Sequence, residues 1–225
     1  MDSPSEEPML CLCPLCYESA PCHRFCTHCR SALLSNQSVC QQCGDLVAQS
    51  QHFCSSCLAK SLPWERLSVV ASFIEPWSSL IKKFKYHRQF SLINPMAQLL
   101  AERIQIHLTH QSQWQLVAMP MHSQRLKERG YNQAALLAQR LSQELGLNYQ
   151  QPLWRHRETT ALETLNRAER QQMVDQAFSC SPITGHWMLV DDVFTTGATM
   201  LAASKTLKTS GAQRIWLATL AKTPH

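Results

Sequence analysis

A chain of 225 residues with 44% hydrophobic residues and a formal net charge of +5 can hold a small domain beside one of ordinary size. The start of the chain carries Asp2, Glu6 and Glu7, where a secretory signal needs a basic start and an apolar run. No stretch approaches the ~20 consecutive apolar residues of a membrane span, so the sequence reads as that of a cytoplasmic protein without membrane insertion.

Cysteine placement divides the chain. Ten of the eleven cysteines fall between Cys11 and Cys57, with only Cys180 beyond. In a reducing compartment, clustered thiols point to metal or redox chemistry and away from disulfides. Four C-x-x-C knuckles stand in register: Cys13 with Cys16, Cys26 with Cys29, Cys40 with Cys43, and Cys54 with Cys57. Their starts are 13, 14 and 14 residues apart, and a Phe (Phe25, Phe53) precedes the second knuckle of each pair. The segment is an internal repeat.

Two cysteines separated by two residues wrap one edge of a metal tetrahedron. A second such turn completes an S4 shell, whose usual occupant is zinc. A short segment with few aliphatic residues buries little core, so the metal would supply its folding energy. Four thiolates leave no open coordination position, which suits a structural ion. We expect two zinc ions with sequential ligand sets: Cys13, Cys16, Cys26 and Cys29 on one, Cys40, Cys43, Cys54 and Cys57 on the other. An iron–sulfur cluster, a single metal or redox dithiols are the alternatives. Cys11 and Cys22 fall outside the pattern, and His23, His28 and His52 read as surface residues.

The charge changes at the same place. Up to Lys60 there are three Lys/Arg against five Asp/Glu, and from Ser61 onward eighteen against eleven. The domains are accordingly set at 1–62 and 63–225. The excess of positive charge in the second suits an anionic ligand, although ordinary solubilising charge would read the same way.

Past the knuckles, residues 67–73 have the β-branched, apolar content of a strand. Residues 75–86 carry Leu80, Ile81 and Phe84 at helical spacing, and Asn94 with Pro95 reads as a cap and first turn of another helix. A buried strand is expected over 114–119, ending at Pro120. An amphipathic helix over 132–145 stops at Gly146. A short strand over 187–190, a helix over 199–210 stopped by Gly211, and a strand over 215–221 complete the chain. Strands alternating with helices imply an α/β fold with a parallel sheet and flanking helices. Such sheets bind ligands at the carboxyl ends of their strands.

One carboxyl end stands out, the run Met188-Leu-Val-Asp-Asp-Val-Phe-Thr-Thr-Gly-Ala-Thr199. An apolar strand leads into Asp191 and Asp192, then into Thr195, Thr196, Gly197, Ala198 and Thr199 at the start of a helix. Small residues admit backbone N–H groups to an anion, hydroxyls donate further bonds, and the helix N-terminus adds its positive end. The Gly-Lys-Ser/Thr ending of a nucleotide P-loop is missing. Paired carboxylates beside a phosphate site would repel a plain phosphate. They fit a ligand that also offers hydroxyl donors or Mg²⁺, such as a ribose 5-phosphate.

VDDVFTTGAT resembles the phosphoribosyl pyrophosphate (PRPP) signature of type I phosphoribosyltransferases. Joined to the cysteine knuckles, it resembles the ComF/GntX family of competence-associated, phosphoribosyltransferase-like proteins over nearly the whole chain. Leu80-Ile-Lys-Lys-Phe-Lys-Tyr86, Pro120 through Arg125 to Glu128-Arg-Gly-Tyr-Asn-Gln133, and Arg170 followed by Ala177-Phe178 are similar to that family as well. The resemblance implies a type I phosphoribosyltransferase-like sheet behind a double zinc ribbon. Asp191, Asp192 and residues 195 to 199 would bind PRPP with Mg²⁺. The stretch after Pro120 would be the fold's pyrophosphate loop, in which Arg125 and Arg129 are candidates to neutralise the diphosphate, with Gly130 admitting the backbone; Lys85 is a further contact. Over 155–175 the chain departs from the family's pattern, with Leu162 before Leu165 and Met173 after Arg170.

The implied role lies in DNA uptake and natural transformation, with PRPP, single-stranded DNA and other competence proteins as partners. Three readings stay open: a phosphoribosyltransferase, a PRPP-binding competence factor without turnover, and a zinc-ribbon adaptor.

Overall fold

The computed structural model describes residues 10–34, 37–109, 113–156 and 177–224. The first knuckle is bracketed by an antiparallel hairpin of β1 (Leu10–Leu12) and β2 (Ser19–Pro21). The second knuckle opens helix α1 (Thr27–Leu33), whose N-cap is Cys26 itself, its Sγ accepting from Cys29 N at 3.4 Å. The second unit repeats the plan more loosely. Val39 bridges Leu46, and Cys54 caps the single turn α2 (Ser55–Leu58).

Cys11 and Cys22 form a disulfide, against the expectation from compartment. The hairpin explains the pairing: Cys11 stands opposite Ala20, which brings Cys22 to a Cα–Cα distance of 4.7 Å from it, inside the range a disulfide bridges.

The larger part of the chain builds a five-stranded sheet. In chain order come β3 (Arg66–Ser72), α3 (Trp77–Tyr86), a 3₁₀ turn (Phe90–Leu92), α4 (Ile93–Gln105), β4 (Trp114–Ala118), α5 (Ser123–Arg129), α6 (Gln133–Leu145) and β5 (Asn148–Tyr149). A small antiparallel pair, β6 (Leu153–Arg155) and β7 (Phe178–Cys180), precedes β8 (His186–Phe194), α7 (Ala198–Thr209) and β9 (Arg214–Lys222). The sheet order is β3-β9-β8-β4-β5, and every neighbouring pair is parallel. Trp187 to Val190 of β8 and Ile215 to Ala218 of β9 are buried, the continuous apolar runs that strands covered on both faces require.

The connections fix where a ligand can enter. From β4 the chain runs through α6 outward to β5, whereas from β8 it runs through α7 the other way, to β9. Right-handed crossovers then place α6 and α7 on opposite faces. The reversal between neighbours β4 and β8 is a topological switch point, and its crevice opens at their carboxyl ends.

Three local expectations are corrected. Strand β8 does not stop at Val190 but carries Asp191 and Asp192 within it as far as Phe194, paired to β9 along its length. Asn94 is not a cap: the 3₁₀ turn feeds directly into α4, whose N-cap is Leu92. Pro95 still lies in the first turn, where its missing N–H is not required. The basic stretch after Pro120 is a helix, α5, rather than a loop, with His122 Nδ1 accepting from Gln124 N at 3.3 Å as its cap. Gly130 closes it at φ 83°, a left-handed position that favours glycine. By contrast, α6 follows its sequence signals, with Asn132 Oδ1 accepting from Ala134 N and Ala135 N and Gly146 at φ 63°.

Candidate metal centres and ligand cleft

The eight knuckle cysteines gather into two sets, Cys13, Cys16, Cys26 and Cys29, and Cys40, Cys43, Cys54 and Cys57. Within each set all four sulfurs lie within 4.8 Å of one another. A tetrahedral ZnS4 centre with ~2.3 Å bonds has sulfurs about 3.8 Å apart, so the donor sets fit such an ion with little movement. The grouping is sequential. Cys13 is drawn down to about 7: burial pushes it up, but backbone N–H groups of Cys26, Cys16 and Leu15 together outweigh that. Cys40 reaches about 7 in the same way, through Cys54, Gln42 and Cys43. Burial first, then the neighbouring thiols, push Cys29 upward. Each site therefore holds one thiol lowered toward neutral pH, and a cation would draw the protons from the rest.

Both units are anchored to the sheet domain. Trp77 Nε1 donates to Leu33 O at 2.8 Å, and Arg30 pairs with Glu102. In the second unit, Trp64 Nε1 donates to Gln42 O at 2.9 Å, and the buried Lys222 pairs with Asp45.

At the switch point a cleft of about 220 Å³ opens between the ends of β4 and β8. Its wall includes Asp191, Asp192, Thr195, Gly197 and Thr199 from β8, the following loop and the first turn of α7, Lys85 from α3, and Arg125 and Arg129 from α5. The structure thus gathers eight of the residues singled out in the sequence; Thr196 and Ala198 do not line this cleft. Thr196 Oγ1 instead accepts from Ala198 N at 3.4 Å. Helix α7 starts after Gly197, which has no side chain to cap it. Beyond the Ala198 N–H held by Thr196, its first turn lies at the cleft, where Thr199 and Met200 line the wall and N–H groups without an intrahelical partner can meet an anion.

The acids are held in different ways. Asp192 is buried, and Lys85 Nζ stands 3.0 Å from its Oδ2, an ionic approach off the direction of a hydrogen bond. Asp191 Oδ1 accepts from Asp192 N at 2.8 Å. Burial, then the Asp192 charge, raise Asp191 to about 7 against the pull of Lys85 and Arg155. Two carboxylates side by side cannot both ionise freely without cations, and here Lys85 serves one of them.

Arg129 donates to Gln133 Oε1 at 2.6 Å and lies over the Tyr86 ring at 5.1 Å. Arg155, Asn132, Gln133 and Tyr86 also line the cleft. Arg155 was not found from sequence: it arrives on the β6–β7 pair, and no local signal marks it. Gln133 closes the Glu128-Arg-Gly-Tyr-Asn-Gln133 run and could have been read from it. The departures at Leu162, Leu165, Arg170 and Met173 lie outside the described residues.

Gly197 has φ 78°, and a Cβ there would stand 2.7 Å from Cζ of Phe194. A side chain would therefore strike the ring beneath the loop rather than project into the cleft. Gly197→Ala should cost ~1–2 kcal/mol from the left-handed backbone alone. For a chain of this size that is a fall of roughly 2–8 °C in melting temperature, read by calorimetry without ligand. An unchanged melting temperature would mean that the loop is free to rearrange.

The "DNA utilization protein YhgH" of Escherichia coli is 32% identical over 206 residues, covering 88% of this chain and 90% of its own. "Competence protein F" of Haemophilus influenzae is 32% identical over 220 residues, covering 94% and 90%. The chain belongs to the ComF family. A more distant ComF relative, "Competence protein ComFC" of Streptococcus pneumoniae, is 27% identical over 65% of this chain and 63% of its own. No family model matches the chain. Among solved structures, a glutamine PRPP amidotransferase from B. subtilis overlays 61% of this ComF chain and 30% of its own at a TM-score of 0.41 and 15% identity, too loosely to add to the reading.

Proposed function

We propose that this ComF chain binds Mg²⁺·PRPP in the switch-point cleft and acts as a phosphoribosyltransferase-like protein in DNA uptake. The carrying observation is the path of β8, which brings Asp191 and Asp192 to the same cleft as the first turn of α7, with Lys85, Arg125 and Arg129 around it. The loop at 195 to 199 would hold the 5′-phosphate on backbone N–H groups and threonine hydroxyls. Asp191 and Asp192 would accept from the ribose 2′- and 3′-hydroxyls. The guanidinium forks of Arg125 and Arg129 suit the diphosphate oxygens. Bound Mg²⁺ would supply neutralising charge to the diphosphate as it leaves C1. The protein's share is positioning and charge complementarity, with no nucleophilic side chain required. Calorimetric titration of the zinc-loaded protein with Mg²⁺·PRPP tests this directly; no heat of binding removes the proposal. The two ribbons would each carry a structural zinc.

The names of the E. coli and H. influenzae relatives support a place in DNA handling. So does a neighbouring hollow of about 490 Å³, lined by Lys85, Tyr86, Arg88, Arg125, Glu128, Arg129 and Tyr131. Four cations against one acid suit a phosphate chain, and Tyr86 and Phe90 are exposed beside it, where bases can stack. Binding to single-stranded DNA should therefore be weak, independent of sequence and steeply reduced by salt. Fluorescence anisotropy at low and raised salt checks it: no binding at low salt sinks the idea, and salt-independent binding contradicts its electrostatic basis. Among the described residues no helix is long and apolar enough to cross a membrane.

A further inference from the structure

The second cysteine cluster and the phosphate loop are joined by two short arms that meet at Phe194. The first arm is Trp64. It is 4% exposed, its indole N–H holds the carbonyl of Gln42 between Cys40 and Cys43, and its ring meets that of Phe194 edge-on at 6.4 Å. The Phe194 ring is the surface directly beneath Gly197.

The second arm is Lys222, at the end of β9. Its buried ammonium pairs with Asp45 and donates to Thr223 O at 3.1 Å. Thr223 N in turn donates to Phe194 O at 2.9 Å. Asp45 belongs to the knuckle, since its carbonyl accepts from Cys40 N at 2.7 Å. One arm thus fixes the ring of Phe194 and the other its backbone. The first cluster is anchored elsewhere, through Leu33 to Trp77 of α3 and through Arg30 to Glu102 of α4.

We propose that the second cluster positions the phosphate loop: a metal ion closing the Cys40 and Cys43 knuckle holds Trp64 and Lys222 so that Phe194 supports Gly197. Trp64, Lys222 and Phe194 are positioning residues that need not touch the ligand. Anything that orders the knuckle then favours the loop's binding geometry. By linkage, a ligand seated on the loop tightens metal binding at this cluster by the same factor. The inference rests on the reading of the cleft as a PRPP site.

The test is an equilibrium competition for zinc between the full-length protein and a chelator, followed by a metallochromic dye. It is run with Mg²⁺ alone and with saturating Mg²⁺·PRPP. In the wild type one of the two zinc steps should shift to tighter binding by at least ~5-fold, the lower end of ordinary coupling, while the other stays in place. Trp64→Leu and Lys222→Met should each shrink that shift and lower PRPP affinity by a similar factor; having both variants covers a failure of either to fold. If the wild type shows no PRPP binding, the reading of the cleft falls and takes this inference with it. If it binds PRPP and neither zinc step moves, the cleft reading stands and the coupling is overturned. A shift undiminished in both variants overturns the assignment to these arms.

Discussion

Metal analysis of protein purified without added metal should return two zinc ions per chain, one for each cluster of four sulfurs. Structural zinc in ribbon-sized units supplies ~10–16 kcal/mol of apparent binding energy at neutral pH, more than the whole stability of many domains. Its removal should therefore have the largest effect of any single change. The loss would not stay local, because Phe25 and Leu33 belong to the same core as Trp64 and Trp77. Chelation should accordingly shift tryptophan emission to the red as those two buried rings meet water. Cys40→Ser should remove one ion, since a hydroxyl cannot replace the thiolate. Cys11→Ser with Cys22→Ser should leave both, because the disulfide lies outside the ligand sets. One ion in the wild type, or an iron charge-transfer band, would defeat the assignment.

What could be read in the sequence was whatever is local along the chain. The knuckles carry their ligand spacing in four residues each, and their repeat along the chain makes each pair a self-contained unit where a cross-brace would interleave them, which is why sequential grouping is readable. The loop at 195 to 199 is likewise a single continuous run. Helix α6 announces both ends through Asn132 and Gly146.

The misreadings came where pairing overrides propensity or where a segment is too short for a period. Aspartate is a poor strand former, so propensity alone ends β8 at Val190. Hydrogen bonding to β9 carries it on and turns the acids into strand residues. Helix α5 has seven residues and none of them buried, so it offers no apolar stripe to detect. The ion pair of Lys85 with Asp192, the arrival of Arg155, and the arms through Trp64 and Lys222 all join distant parts of the chain. Only the folded sheet brings them together.

The other large effect concerns the paired acids. Asp191→Asn with Asp192→Asn should weaken PRPP by ~10–100-fold, the loss of charged acceptors for hydroxyl donors. Inorganic phosphate, which presents no ribose hydroxyls, should bind nearly as before. Stability must be read on a single variant, because the double change both relieves repulsion and strands Lys85, whose partner is Asp192. Asp191→Asn isolates the first effect. Burial, then the charge of Asp192, hold the native carboxyl of Asp191 at about 7. A carboxyl whose native pKa lies above its unfolded one binds its proton more tightly when folded. Its stabilisation is complete below about pH 4 and lost as pH rises through the native value. The variant should then melt above the wild type at pH 8 and level with it at pH 4. In the wild type, PRPP affinity should rise between pH 6 and about 8 as Asp191 ionises to accept from the ribose, whereas in Asp191→Asn it should be flatter across the same range. Full PRPP affinity in the double variant would remove the ribose from the acids and leave the loop as a simple anion site.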